Sequence, residues 1–479
     1  MWDFSHENSA LKLGLSPAGD KIRRPAVAGV FYPGDRETLS RELAEMIEQT
    51  VDDAPAPAFP KLVIVPHAGY IYSGPVAASA YDRLRPARGI VKRVVLLGPA
   101  HRVPVRGLAL PGAAAFDTPL GRIPVDTEAA ASIRDLPQVV ESAQVHALEH
   151  SLEVQLPFLQ RVLGEFTLLP LVVGDATPQE VAQVLERLWG GAETLIVISS
   201  DLSHYLPYDA ARRTDGITAK AILGFETGIS HEQACGATPV AGALIVARLH
   251  GLTPQLLDLR NSGDTAGDKG QVVGYASFAF SEGDARFGPE HGSALLRLAR
   301  ASIGAVLGCN PAPAIPDALW LRIARATFVT LKKGGNLRGC IGSLEAHRPL
   351  GEDVVANARA AAFRDPRFSP LTREEFDAQG SGSIGIEVSL LSAPRRILFR
   401  DHADLIRQLR PGTDGIILEC EGRSATFLPQ VWEGLPDPEQ FLAQLKQKAQ
   451  IPANLPITRC KVQRYGALKW SEAEFGGGT

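Results

Sequence analysis

The sequence has little cysteine, little methionine and no surplus of basic charge. Of its 479 residues, five are cysteine and two are methionine. No Cys-x-x-Cys pair and no signal peptide accompany the scattered cysteines, which are Cys235, Cys309, Cys340, Cys420 and Cys460. This usage predicts a reduced cytoplasmic protein that folds without disulfides. A formal net charge of −4 provides no basic surface for phosphate groups, so we expect no nucleic-acid partner.

Long apolar runs are missing as well. No uninterrupted run reaches the roughly 18 apolar residues that a membrane-spanning helix requires, so we expect a soluble protein without membrane contact. The composition is otherwise that of an ordinary globular protein, with 45% hydrophobic and 21% charged residues. A chain of this length exceeds what one hydrophobic core supports, so the length predicts two or three domains.

The first half of the chain alternates short apolar runs with helical patterns. The runs are continuous rather than alternating, which is typical of strands buried on both faces of a mostly parallel sheet. They cover residues 61–70, 92–101, 166–175 and 194–204, and a last strand is predicted over 271–280. Residues 177–190 carry helical spacing behind a Thr-x-x-Glu capping box. The pattern therefore predicts an α/β fold for this half.

The second half predicts a separate α+β domain. Residues 281–292 are polar and Gly-rich without periodicity, which is typical of a linker. A helix is predicted over 293–307, and strand-like runs follow at 325–333, 382–392 and 414–428. The expected organisation is an N-terminal extension (1–22), an α/β domain (23–280), the linker (281–292), an α+β domain (293–470) and a tail (471–479).

Titratable side chains follow three of the predicted strands in the first half. His67, His101 and the pair Asp201 and His204 come directly after apolar runs. Ligands of open parallel sheets bind beyond the carboxyl ends of the strands, where the loops diverge. One such histidine is more often structural, but several at one sheet edge favour a site. Imidazole and carboxylate donors with an open position suit a divalent first-row metal.

Two further segments carry reactive groups. Cys235 precedes a predicted helix, whose unpaired amides favour a thiolate, so it is a candidate nucleophile or metal ligand; the alternative is an inert buried cysteine. In "HALEHSLEVQLPFL", His146 and His150 share one helix face, as do Glu149 and Glu153. These four side chains either line the same cleft as a polar network or form a solvated face.

Residues 23–280 carry motifs that resemble the Memo-like family. The motifs are "RRPAVAGVFYPGD", "PHAGYIYSGPVAASAY", "LGPAH", "EHSLEVQLPFL", "SSDLSHY", "CGATPV", "NSGD" and "VGYASFAF". The resemblance implies the fold of class III extradiol ring-cleaving dioxygenases and a divalent metal, with iron favoured and zinc or copper as alternatives. It places the metal ligands on His67, His101 and Cys235, with Asp201 and His204 beside them either as acid/base groups or as groups that support the ligands. A thiolate in place of a carboxylate departs from true dioxygenases and puts ring cleavage in doubt.

Residues 293–470 are similar to AMMECR-type domains. The similarity rests on residues 326–350, 353–375 and 386–394, and "LRGCIG" is its distinctive motif. There Gly339 and Gly342 allow a tight turn whose backbone can approach a bound molecule closely. Arg338 and Cys340 would point toward that molecule, which predicts a substrate or partner pocket. The alternative is a packed strand-turn in which Cys340 is a small apolar residue. The charges of "FRDPRF" (363–368) either complete that pocket or form a surface ion-pair cluster.

The two resemblances together imply a partner. Such domains are often encoded beside a radical S-adenosylmethionine protein, in the AmmeMemoRadiSam system. This chain has no three-cysteine cluster motif, so it is not itself the radical enzyme. One hypothesis is a metal-dependent enzyme acting on a small or modified substrate in an O₂-linked or redox step; a metal hydrolase, or a Cys235 nucleophile served by His204, belongs to the same class.

The other hypothesis is a non-catalytic metal- or peptide-binding adaptor. Asp201 and His204 beside the ligands favour catalysis, since storage needs no acid/base pair. Cys235 in place of a carboxylate favours binding.

Overall fold

A computed structural model describes residues 22–50, 59–282, 287–309, 311–378, 382–392 and 394–475. The predicted N-terminal extension, apart from its last residue, lies outside the described residues, as do 283–286 of the predicted linker and 476–479 of the predicted tail. Over the described ranges, every helix is too short or too polar to cross a membrane.

The first half is built on a mixed eight-stranded sheet. Its strand order is β10-β11-β2-β9-β3-β8-β4-β7, and the four central strands β2, β9, β3 and β8 are parallel. A small sheet β1-β5-β6 lies beside it. The strands are β1 (Ile22–Arg23), β2 (Leu62–Val65), β3 (Arg93–Pro99), β4 (Leu108–Leu110), β5 (Ala115–Thr118), β6 (Gly121–Pro124), β7 (Val139–Glu141), β8 (Thr167–Val173), β9 (Thr194–Ser199), β10 (Thr253–Asn261) and β11 (Gly274–Ser281).

Helices cover both faces of this sheet, which explains the continuous apolar runs. Val63 and Val65 of β2 enter one hydrophobic cluster, whereas Leu62 and Ile64 enter the other. The predicted capping box is confirmed, because Thr177 caps α6 together with Glu180. The helices are α1 (Arg36–Glu48), α2 (Tyr70–Arg83), α3 (Thr127–Ile133), α4 (Ala143–Ala147), α5 (Leu156–Leu163), α6 (Pro178–Arg187), α7 (Tyr208–Leu223) and α8 (Ala237–Leu249). The predicted α/β class is confirmed.

The second half is α+β, as predicted, with two four-stranded antiparallel sheets ordered β13-β12-β14-β19 and β15-β18-β16-β17. Its strands are β12 (Ala326–Lys333), β13 (Asn336–Gly342), β14 (Ile384–Leu391), β15 (Arg395–Arg396), β16 (Gly415–Cys420), β17 (Arg423–Phe427), β18 (Lys461–Tyr465) and β19 (Ala467–Ser471). Its helices are α9 (Pro289–Val306), α10 (Leu319–Arg322), α11 (Leu350–Phe363), α12 (Arg373–Asp377), α13 (His402–Gln408), α14 (Pro438–Lys448) and α15 (Glu472–Phe475).

Three local expectations for this half are corrected. The run 414–428 is a hairpin rather than one strand, because Glu421 and Gly422 take positive φ angles of 51° and 78° and reverse the chain. "LRGCIG" lies within β13 and is not a tight turn. Cys420 and Cys460 form a disulfide, which the expectation of a fully reduced chain did not include.

The two halves are in direct contact. Arg395 of β15 donates to Asp82 of α2 at 2.5 Å, and both side chains are buried. Its other guanidinium nitrogen contacts Thr50, and Ile323 joins a hydrophobic cluster of the first half. Between β11 and α9 the linker is short. Both ends of the predicted linker 281–292 belong to these elements, since Ser281 ends β11 and α9 begins at Pro289.

Candidate metal centre

Three histidines meet beyond the carboxyl ends of the parallel strands. His67 lies two residues beyond β2 and His101 two residues beyond β3, while His150 comes from the connection between α4 and α5. Their ring centroids are 5.1 Å apart for His67 and His101, 5.6 Å for His67 and His150, and 4.7 Å for His101 and His150. The expected convergence of His67 and His101 at one sheet edge is present, and it includes a third imidazole.

The hydrogen bonds of Ser199 determine which nitrogen of His67 carries its proton. The Ser199 hydroxyl donates its one proton to the Ser151 carbonyl at 2.6 Å and accepts from Gln155 Nε2 at 2.8 Å. His67 Nδ1 lies 2.9 Å from the same oxygen and must therefore be the donor. Its Nε2 therefore carries no proton and presents a lone pair. Burial lowers the pKa of His67 well below its usual value, so the ring is neutral.

A buried carboxylate fixes the ring of His101 in the same way. Glu149 Oε1 accepts from His101 Nδ1 at 2.9 Å, and Oε2 accepts from the His101 amide at 2.6 Å. The Ser151 amide adds a third hydrogen bond at 2.9 Å. Despite burial, these bonds and the nearby His101 hold the pKa of Glu149 well below its usual value. His101 Nε2 is thus free to bind a metal, in the carboxylate–histidine arrangement typical of metal sites.

His150 contributes a buried nitrogen without a hydrogen bond. Its ring packs against Phe31 with centroids 5.0 Å apart. Within the described residues its Nδ1 has no hydrogen-bond partner, and Glu149 Oε1 approaches no nearer than 3.5 Å. Burial and the neighbouring His101 lower the pKa of His150 to about 4, so the ring is neutral at pH 7. An unpaired buried nitrogen is costly unless a ligand satisfies it.

These residues fit a divalent metal ion. One ligand nitrogen from each of the three histidines can be chosen so that all three lie within 4.8 Å of one another. Three neutral imidazoles are a donor set that zinc, copper, iron and nickel accept. Sequence reasoning did not assign His150 as a ligand; the signal was its place in "EHSLEVQLPFL", beside Glu149.

Cys235 lies at the edge of this group. Its Sγ is 3.3 Å from His67 Nε2 and 3.7 Å from the Asp201 carbonyl oxygen, one residue before the N-cap of α8. Burial and then the nearby Asp201 raise the pKa of the thiol to about 12. The expectation that the helix start favours a thiolate is therefore wrong for the metal-free chain, because desolvation outweighs the helix dipole. Its role as a metal ligand stays a prediction.

Asp201 and His204 do not form the predicted acid/base pair in this structure. Asp201 Oδ1 accepts from the His67 amide at 2.7 Å and supports the loop that carries His67. Burial raises the pKa of Asp201 to about 7. His204 is partly exposed, and among the described residues no hydrogen bond joins it to Asp201. Asp201 thus positions His67 rather than His204. Proton transfer by His204 stays a prediction.

The predicted helix face of His146 and His150 is wrong, because α4 ends at Ala147. His146 is buried, and its Nε2 donates to the Ala109 carbonyl at 2.7 Å. Glu153 is fully buried and accepts from the Ala26 and Val27 amides and from Tyr32 and Arg23. The solvated-face alternative is therefore wrong. Of the predicted polar network, His150 and Glu149 line the site.

The "LRGCIG" residues in the second half are mostly packed. Arg338 is buried, donates to Glu375 at 2.8 Å and lies over the ring of Phe368. A Cβ on Gly339 would come within 2.2 Å of the Ala361 carbonyl oxygen. A Cβ on Gly342 would overlap Phe328 in the same way. The expected close backbone approach is present, although it occurs between a strand and its neighbours.

Cys340 remains partly exposed. Its amide donates to Asp365 at 2.8 Å, and Arg367 donates to its carbonyl oxygen at 3.1 Å. Thr330 lies 3.3 Å from its sulfur. Asp365 and Arg367 of "FRDPRF" therefore hold the backbone of Cys340 and also pair with each other at 2.7 Å. The predicted pocket at Arg338, Gly339, Cys340 and Gly342 stays a prediction. The partly exposed side chain of Cys340 is accessible to a ligand there.

Fold and site together define a two-domain α/β and α+β protein with a histidine-lined centre suited to a metal. Residues 23–279 match the family model described as Memo-like protein, and residues 296–470 match the model described as AMMECR1. The chain belongs to the Memo-like protein family and carries an AMMECR1 domain behind its Memo-like domain.

Curated relatives match the first half. A MEMO1 family protein of Aquifex aeolicus is 39% identical over 274 residues, covering 54% of this chain and 99% of that protein. One from Aeropyrum pernix is 39% identical over 276 residues, covering 53% and 98%. Among solved structures, an uncharacterized protein of Pyrococcus horikoshii is 32% identical, with a TM-score of 0.35 over 39% of this chain and 93% of that one.

Proposed function

We propose that the Memo-like domain is a metal-dependent enzyme whose ion is held by His67, His101 and His150. The observation that carries this proposal is the buried, unpaired Nδ1 of His150, in a group of three histidines whose ring nitrogens can lie within 4.8 Å of one another. Iron is favoured, with zinc and copper as alternatives, and the reaction is a redox or dioxygenase-like step on a small or modified substrate. A bound ion would supply Lewis acidity and, for iron, redox chemistry.

The remaining residues of the site have supporting roles in this proposal. Glu149 and Ser199 orient the rings of His101 and His67, and Asp201 holds the His67 backbone. His204 is the proton-transfer group because it is partly exposed and adjacent to the histidine group. Cys235 is a fourth ligand or a thiol donor to His67.

We also propose that the AMMECR1 domain binds a substrate or the radical S-adenosylmethionine partner through Cys340. Partial exposure of this cysteine and the two hydrogen bonds that hold its backbone support the proposal. A pull-down with that partner tests it. Cys340→Ala should weaken capture without lowering the melting temperature, whereas the equally part-exposed Cys309→Ala should not change capture.

Metal analysis of anaerobically purified protein tests the centre. We expect about one equivalent of metal per chain, and His150→Ala should lower metal affinity at least about tenfold, since it removes a direct ligand. His250→Ala is the matched control, because His250 pairs with Glu186 on an exposed surface. His204→Ala should keep its metal. Unchanged metal binding in His150→Ala would contradict the proposal.

Oxygen uptake separates the enzyme from the adaptor alternative. Metal-loaded protein should consume O₂ when candidate small-molecule extracts are added, and His204→Ala should slow this uptake while retaining metal. Stoichiometric metal without any turnover, in wild type and variant alike, would favour a metal- or peptide-binding adaptor.

A further inference from the structure

A buried tyrosine beside the histidine group has no hydrogen bond for its hydroxyl. Tyr275 on β11 is 2% exposed; its hydroxyl makes no hydrogen bond among the described residues, but it is not one of the fully buried unpaired polar atoms, so it retains access to solvent. The Gly274 amide donates to the Ser203 carbonyl at 2.8 Å, which places Tyr275 against the loop that carries His204. Phe278 pairs with Ile64, and continuing that register toward the site brings Tyr275 level with His67. A buried tyrosine ring whose hydroxyl remains accessible can offer that hydroxyl to a bound ligand.

Two more tyrosines surround the same position. Tyr205, next to His204, is 69% exposed and has a positive φ of 57°, a left-handed conformation that tyrosine rarely adopts. Its ring centroid is 6.0 Å from that of His204. Tyr72 is 39% exposed, in the first turn of the helix that follows His67. The Tyr72 side chain lies back against Gly69, two residues after His67, where an added Cβ would be 3.9 Å from the Tyr72 ring. Burial, and then Asp201, Tyr72 and Tyr205, raise the pKa of Tyr275.

Two large apolar side chains are also exposed near these tyrosines. Val30 is 80% exposed and adjoins Phe31, which packs on His150. Ile71 is 68% exposed and follows Tyr70, whose amide donates to the Phe31 carbonyl at 2.8 Å. Exposed apolar and aromatic side chains grouped around a polar centre are typical of a binding site.

We propose that Tyr72, Tyr205 and Tyr275 form the substrate-binding wall of the metal centre, and that its ligand joins an aromatic or other flat apolar body to an oxygen group near the metal. The inference rests on the proposed metal function. In it, the exposed rings of Tyr72 and Tyr205 pack against the apolar body. The Tyr275 hydroxyl donates to the oxygen group. Backbone strain at Tyr205 is retained because it holds that ring at the opening.

Two metal-chelating probes test this assignment by calorimetry on metal-loaded protein. Benzohydroxamate and acetohydroxamate share the chelating group and differ in the phenyl ring. Wild type should bind benzohydroxamate about tenfold more tightly, since aromatic contacts and apolar burial favour the ring. Failure of the protein to take up metal would overturn the metal proposal and this inference with it, whereas metal-loaded protein that binds neither probe would overturn this inference alone. Equal affinity for both probes would overturn this inference alone.

Substitutions of the three tyrosines test whether they cause the preference for benzohydroxamate. Tyr205→Asn keeps a residue that tolerates the left-handed backbone and should lower benzohydroxamate affinity severalfold, with acetohydroxamate unaffected. Tyr72→Ala should act likewise. Tyr275→Phe should weaken both probes about fivefold, the loss of one hydrogen bond. Ile217→Ala, an exposed apolar residue on α7, is the control and should change neither. Unchanged probe selectivity in Tyr205→Asn and Tyr72→Ala would overturn the assignment.

Discussion

Replacing Glu149 by Gln tests how the metal centre is oriented. The two Glu149 oxygens accept three hydrogen bonds, two from His101 and one from the Ser151 amide. A glutamine of the same shape has one carbonyl oxygen, and its NH₂ group must face at least one of these N–H donors. The variant therefore loses at least one charge-assisted hydrogen bond and the negative charge that favours metal binding through His101.

The expected magnitude can be worked out from these contacts. Loss of one hydrogen bond to a charged acceptor costs about 1.5–3 kcal/mol of folding stability. Loss of an outer carboxylate that orients a histidine ligand lowers metal affinity roughly 10- to 100-fold. Chelator competition measures the affinity, and urea unfolding of the metal-free protein measures the stability.

Glu186→Gln is the matched control. Glu186 also pairs with a histidine, His250, at 3.0 Å, but on the exposed surface. Exposed pairs contribute little, so this variant should change stability by less than about 1 kcal/mol and leave metal affinity unchanged. The reasoning is refuted if Glu149→Gln binds metal as tightly as wild type.

Three other outcomes are expected. Arg338→Ala should cost about 1–3 kcal/mol of stability in urea unfolding, because it leaves Glu375 without its buried partner; Arg373→Ala, which breaks an exposed pair, should cost less than about 0.5 kcal/mol. Metal-free protein should lose folding stability as the pH falls from about 6.5 toward 4. Burial holds the pKa of folded His146 at about 4, whereas the same histidine in the unfolded chain is protonated below about 6.5. His146→Gln should reduce this loss of stability, measured by urea unfolding, by up to about 3 kcal/mol. Arg395→Ala should separate the unfolding of the two domains in calorimetry, whereas wild type should unfold them together, since the buried contact with Asp82 joins them.

The periodicity of the sequence predicts the frame of the site but not its complete ligand set. Parallel strands bring the residues at their carboxyl ends to one edge of the sheet, so His67 and His101 could be found from apolar runs alone. His150 could not, because the helical pattern of residues 146–159 predicts a continuous helix. Ser151 opposes that pattern: its hydroxyl donates to the Pro99 carbonyl at 3.0 Å, a contact between segments far apart in sequence.

The same limit applies to charges and cysteines. Sequence position predicts a dipole effect on Cys235, but burial, which dominates its pKa, depends on the packing of distant segments. Arg338 was expected at a pocket, with exposure typical of arginine. Its pairing with Glu375 needs a contact 37 residues away, between β13 and α12. Periodicity reports which face is buried, whereas hydrogen-bond partners depend on tertiary structure.

Proton release distinguishes the two ligand sets that remain. His67 and His150 are neutral in the folded chain, so at pH 7 a metal that binds their rings displaces no proton from either. Cys235 is different, because a thiol with a pKa of about 12 must lose its proton to ligate. Its Sγ is already 3.3 Å from the His67 nitrogen that would face the metal, so an incoming ion breaks that contact in either case. Calorimetry in buffers of different ionisation enthalpy should give about one proton more per metal in wild type than in Cys235→Ser if Cys235 ligates, and equal counts if it does not. A count of one that survives in Cys235→Ser would contradict ligation by the thiolate and place the proton on another group.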